Sequence, residues 1–121
     1  MKTVLIADDE FDLARTLQAI LQGEGYRAET FGNGRLVLER LRAEKPDLLL
    51  LDVMMPGVGG LDVLRTMKQT PDLEKVPVAL MCSVPPKVNR DDYRWDVFLR
   101  KPFDIATLLR TVGEMIGAAE T

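Results

Sequence analysis

Apolar and polar positions alternate along this chain in blocks, and the blocks change period. Thr3 to Asp8 is a short apolar run that ends in an acid. A continuous run of that length suits a strand buried on both faces. Leu13, Leu17, Ile20 and Leu21 then recur at helical spacing, and Gly23 and Gly25 stop that helix. Tyr26 to Phe31 alternates polar and apolar residues, as a less buried strand does. Asn33-Gly34 turns the chain into a second helix carrying Leu38 and Leu41. Asp47 to Leu51 is the strongest strand signal, a run of leucines between Pro46 and Asp52.

Pro56 to Gly60 is a loop by composition. Leu61, Leu64 and Met67 predict a third helix, Val76 to Met81 a fourth strand and Val97 to Leu99 a fifth. Asp104 is a good N-cap for a last helix with the apolar stripe Ile105, Leu108, Leu109, Val112 and Ile116. Phe103, just before the cap, can pack on Leu108 as a hydrophobic staple. Val84 to Asp96 breaks the rhythm: it holds Pro85-Pro86, many charges and no apolar stripe. A helix belongs there by alternation, but the residues predict a short or missing one and the loosest part of the domain. Val88, Tyr93 and Trp95 look too few to pin a full helix.

Alternating βα units imply a parallel sheet with helices on both faces. At 121 residues with 46% apolar content, one domain over residues 1–121 with a proper core is expected. The apolar runs are too short to span a bilayer, no signal peptide is visible, and Cys82 has no partner for a disulfide. A cytoplasmic, soluble protein is the expectation. The formal charge of −3 argues against a dedicated nucleic-acid binder. The chain has no histidine. That excludes Ser-His-Asp and Cys-His catalysis, His-based zinc sites and a role as a histidine phosphodonor.

In open parallel sheets, function sits at the carboxyl ends of the strands. Asp8-Asp9, Asp52, Cys82-Ser83 and Lys101 all fall there. Each alone has a bland reading: a loop acid, a helix cap, a solvated lysine, a small core cysteine. Together they make a site. Crowded carboxylates repel one another, and a hard cation such as Mg²⁺, which prefers oxygen ligands, relieves that repulsion. A carboxylate can also act as nucleophile toward a phosphoryl group, with the protein supplying position and countercharge. Lys101 is suited to hold one phosphoryl oxygen and a hydroxyl at the end of strand 4 another.

Leu5-Ile6-Ala7-Asp8-Asp9-Glu10, then Leu51-Asp52-Val53-Met54-Met55-Pro56 with Gly60 behind it, then Lys101-Pro102-Phe103, resemble the receiver domains of bacterial two-component response regulators. The resemblance covers nearly the whole chain. It implies a flavodoxin-like (βα)5 sandwich with a five-stranded parallel sheet. It implies Asp52 as phosphoacceptor, and Mg²⁺ held by Asp9 and Asp52, by Asp8 mainly through water, and by the Met54 backbone carbonyl. It implies Lys101 as the phosphoryl contact, a cis Lys101-Pro102 bond and Phe98 as the switch aromatic. The donor would be a histidine kinase or a histidine phosphotransfer protein, and the output an unknown downstream protein, because the chain leaves no room for an output domain. At most slow self-dephosphorylation is expected, rather than enzyme turnover.

Three departures stand out. The family has Thr or Ser at the end of strand 4, where counting from Pro77 gives Cys82, with Ser83 one place later. If Cys82 fills the slot, a weaker S–H donor replaces the hydroxyl; if the strand end is shifted, Ser83 serves. Gly59-Gly60 stands where an acid-glycine pair is frequent. The fourth helix is degraded, and phosphorylation is expected to order the segment from Val84 to Asp96 and make Tyr93 or Trp95 part of a partner surface. Two alternatives remain at this point: a small Mg²⁺-dependent phosphatase with an aspartyl nucleophile, which would want an Asp-x-Asp pair on strand 1, and a pseudo-receiver that acts only as a binding module.

Overall fold

The computed structural model describes residues 1–88 and 93–119. Five strands, β1 (Thr3–Ala7), β2 (Arg27–Phe31), β3 (Leu48–Asp52), β4 (Val78–Cys82) and β5 (Val97–Arg100), form one parallel sheet in the order β2-β1-β3-β4-β5. The helices among the described residues are α1 (Phe11–Gly23), α2 (Gly34–Ala43), α3 (Gly60–Lys68) and α4 (Ile105–Ile116). This is the flavodoxin-like arrangement expected from the sequence.

The leucine run of β3 shows why the sheet forms where it does. Successive side chains of a strand point to opposite faces. Leu49 and Leu51 join a core with α2 and α3, built with Leu5, Val37, Leu64 and Leu80. Leu48 and Leu50 join a second core with α1 and α4, built with Ile6, Leu17, Leu21, Leu108 and Val112. An amphipathic strand could serve only one of these cores; β3 is apolar throughout because it serves both. β2 lies at the sheet edge, where most of its side chains are partly or fully exposed, as its alternating sequence predicts.

Two helices start on side-chain caps, Asn33, read from the sequence only as a turn residue, and Asp104, read as an N-cap. Asn33 Oδ1 accepts from the Leu36 N–H at 2.9 Å and starts α2. Asp104 Oδ1 accepts from the Thr107 N–H at 2.7 Å and starts α4. Phe103 packs against the same core as Leu108.

Between β4 and β5 the described residues 84–88 and 93–96 contain no helix, as the two prolines and the charge density predict. Residues 89–92, inside the segment expected to be loosest, lie outside the described residues. Tyr93 and Trp95 are not on the surface: both are buried in the α2/α3-side core, where partly buried Val88 and Phe98 also pack. The Tyr93 and Trp95 side chains fix the described residues 93–96 without a helix. Arg65 of α3 helps, donating to Tyr93 Oη at 2.6 Å with its guanidinium over the ring. Asp96 completes the anchor, its carboxylate accepting from the Val78 N–H at 2.8 Å and its own N–H donating to the Val78 carbonyl.

Candidate phosphoacceptor site

Sheet register brings the site together. Ala7 of β1 pairs with Leu51 of β3, so the next residue of each strand, Asp8 and Asp52, leaves the sheet at the same level. β4 ends beside them at Cys82, which pairs with Arg100, and the Lys101 N–H donates to the Cys82 carbonyl at 2.9 Å. A ligand oxygen from each of Asp8, Asp9 and Asp52 lies within 4.8 Å of the others. Asp8 and Asp52 are buried and Asp9 is exposed, so the cluster has two fixed walls and one side open to water.

Lys101 is the countercharge. Its Nζ donates to Asp8 Oδ2 at 2.8 Å and lies 3.6 Å from Asp52 Oδ1. Burial pulls its pKa down, but the hydrogen bond to Asp8 and the charges of Asp8 and Asp52 outweigh that, and the net shift is upward. The pKa of Asp52 is raised as well, which for an acid disfavours the charged form. Burial and then the charge of Asp8 raise its carboxyl to about 6, against the pull of Lys101 and a long hydrogen bond from the Met54 N–H at 3.4 Å. One lysine does not neutralise the acids around it, so the site still has a deficit of positive charge.

The cleft beside this cluster has a volume of about 580 Å³, and Asp9, Asp52, Met54, Cys82, Ser83 and Lys101 contribute to its walls. The two strand-4 candidates differ in what their side chains do. The Cys82 thiol donates to the Val84 carbonyl at 2.9 Å, while Ser83 is exposed at the cleft wall. Phe98 lies outside the cleft. It is half-buried against the α2/α3-side core and pairs with Leu80 in register. Lys101-Pro102 is cis, as expected.

Glu10 is a participant that the sequence reading passed over. Its carboxylate lies 3.3 Å from Lys101 Nζ, and its N–H donates to Asp8 Oδ1 at 2.9 Å. The signal was present as three consecutive acids at a strand end.

The donor set suits a hard divalent cation: oxygen only, two carboxylates held by the sheet, one exposed, and a net negative balance that a cation corrects. Asp8, Asp9 and Asp52 could therefore hold a metal ion.

Residues 4–113 match the family model of the response regulator receiver domain. The chain belongs to that family. It is similar to response regulator ArlR of Staphylococcus saprophyticus, 33% identical over 96% of this chain and 53% of that protein. It is also similar to the uncharacterized transcriptional regulatory protein YkoG of Bacillus subtilis, 38% identical over 90% of this chain and 48% of that one. Among solved structures it resembles the signal receiver domain of a signal transduction histidine kinase from Syntrophus aciditrophicus. That match has a TM-score of 0.87 and 31% identity, over 100% of this chain and 95% of that one. The chain spans about half the length of the curated relatives it matches. No helix among the described residues is long and apolar enough to cross a membrane.

Proposed function

We propose that this domain accepts a phosphoryl group on Asp52 from a histidine kinase or a histidine phosphotransfer protein and passes the signal to a partner protein by changing shape. The observation that carries the reading is the cluster itself: a buried Asp52 at a strand end, two further carboxylates within reach of one ion, and a partly buried lysine at 3.6 Å.

Asp8, Asp9, Asp52 and the Met54 backbone carbonyl would hold Mg²⁺. When bound, that ion neutralises charge on the nucleophile and on the phosphoryl oxygens. The chain supplies the rest. An oxygen of the Asp52 carboxylate attacks phosphorus, the P–N bond to the donor histidine breaks, and the imidazole leaves with the bonding pair and takes up a proton. Lys101 trades its contact with Asp8 for a phosphoryl oxygen, as a mobile point charge can. Ser83, with its hydroxyl at the cleft wall, is the better-placed donor for another oxygen, and Cys82 holds the start of the following segment through Val84. Phe98 is the aromatic that responds. The site belongs to the cytoplasm, where such donors are found, and its turnover is limited to slow self-dephosphorylation.

Phosphotransfer profiling tests this directly. Label supplied on the histidine of candidate kinases or phosphotransfer proteins should move to this chain and leave the donor. Steady hydrolysis of small phosphate esters with no retained label would instead favour a phosphatase. Absence of transfer from every donor and from acetyl phosphate would favour a pure binding module.

A further inference from the structure

The segment between Asp52 and α3 is fastened at two places by glycine backbone. Gly60, the first residue of α3, donates its N–H to the Val53 carbonyl at 3.0 Å, and a Cβ built on it would fall 2.2 Å from the Asp52 carbonyl oxygen. Gly34, the first residue of α2, donates its N–H to the Val58 carbonyl at 3.0 Å. A Cβ on Gly34 would fall 2.1 Å from that carbonyl oxygen and 2.8 Å from Val58 Cγ1. The nearest obstacle is backbone, so no change of rotamer could admit a side chain; the loop would have to move.

Conformation does not explain the glycine. The positive-φ residues among those described are Gly25, Gly57 and Gly117, and Gly34 is not one of them. Alanine is the better helix former at an ordinary helical position. Gly34 therefore serves close approach. Between its contact at Val58 and that of Gly60 at Val53 hang Met54 to Gly57, and Met54 borders the cleft and donates to Asp52.

We infer that Gly34 is a positioning residue for the metal-binding loop, so that the start of α2 is mechanically tied to occupancy of the acidic site. The inference rests on the reading of Asp8, Asp9, Asp52 and Met54 as the Mg²⁺ site. The coupling is reciprocal: if displacing the loop from α2 weakens the ion, binding the ion must hold the loop against α2.

Two measurements test it, both on unphosphorylated protein. Calorimetric Mg²⁺ titration of Gly34→Ala should show affinity about tenfold weaker than wild type, the scale of lost support around a metal ligand. Asn33→Ala, which removes the cap of α2 without adding a Cβ at Gly34, should lower the melting temperature yet leave Mg²⁺ affinity unchanged. A Gly34→Ala variant that melts normally and binds Mg²⁺ like wild type overturns the inference. So does a loss of affinity equal in both variants, since that reports helix stability alone. If Gly34→Ala does not fold, amide exchange of the wild type decides. Exchange of the Gly34 amide should slow when Mg²⁺ is added, and an unchanged rate overturns the inference. Wild-type protein that binds no Mg²⁺ at all overturns the reading of the site itself, and this inference with it.

Discussion

Two connections leave the carboxyl edge of the sheet side by side, and they are held in opposite ways. The one after β3, from Val53 to Gly59, is short and fastened by backbone: Gly60 to Val53 and Gly34 to Val58. The one after β4, from Ser83 to Asp96, is longer, and its described residues 93–96 are fastened mainly by side chains: Tyr93 and Trp95 in the core, Arg65 on Tyr93, and the Asp96 carboxylate on the Val78 N–H. Backbone contacts fix atoms closely and tolerate no added side chain, which would suit a loop that presents a ligand to the proposed ion. Side-chain anchors can repack, which would suit the proposed switch, in which a phosphoryl group pulls on the end of β4. On the proposed function, the first connection would set the chemistry and the second would carry the consequence.

That contrast is most directly broken at Trp95. Trp95→Ala should cost about 3–5 kcal/mol, the usual range for emptying a buried aromatic site. Urea denaturation measures it, and a loss below about 1 kcal/mol would mean the segment is not anchored there.

A change at the chemical side should do the reverse. In metal-free protein at pH 7, Asp52→Asn should raise stability by about 1–3 kcal/mol, because it removes a charge whose carboxyl sits near 6 instead of its ordinary value. The sign follows from linkage. With its folded pKa raised, the Asp52 contribution is most favourable below its unfolded value, near 4, and is lost as pH rises through about 6. The advantage of Asp52→Asn over wild type should therefore shrink from pH 7 to pH 4. Saturating Mg²⁺ at pH 7 should shrink it too, by stabilising the wild type. An advantage that does not vary with pH would remove the charge-crowding account.

The smallest expected effect sharpens the comparison. Tyr93→Phe keeps the ring and loses the hydrogen bond from Arg65, at a cost of about 1–2 kcal/mol. It should leave the rate of phosphorylation by acetyl phosphate unchanged while altering partner affinity. A slowed chemical step would mean that the two connections are not separable.

The sequence made one of these connections much more legible than the other. Leu48–Leu51 announced a strand buried on both faces, and the acids that end β1 and β3 marked the rim, because burial and charge are written in residue type. Asp104 was readable as a cap because capping is local. Tyr93 and Trp95 were not readable as core. An isolated aromatic in a charged, proline-containing stretch carries no period, and its partner Arg65 stands on another element. Glu10 was hidden by the acid pair before it, and Gly34 by the ordinary reading of Asn-Gly as a turn. Nothing in residue type alone says that a backbone passes within touching distance of another.

The central claim is that Asp52 takes the phosphoryl group, and intact-mass measurement with peptide mapping tests it most directly. Wild-type protein incubated with acetyl phosphate and Mg²⁺ should gain the mass of one phosphoryl group, carried on the peptide containing Asp52. Asp52→Asn should gain none while melting cooperatively. A phosphoryl group on any other residue, or the same gain in Asp52→Asn, would contradict the account.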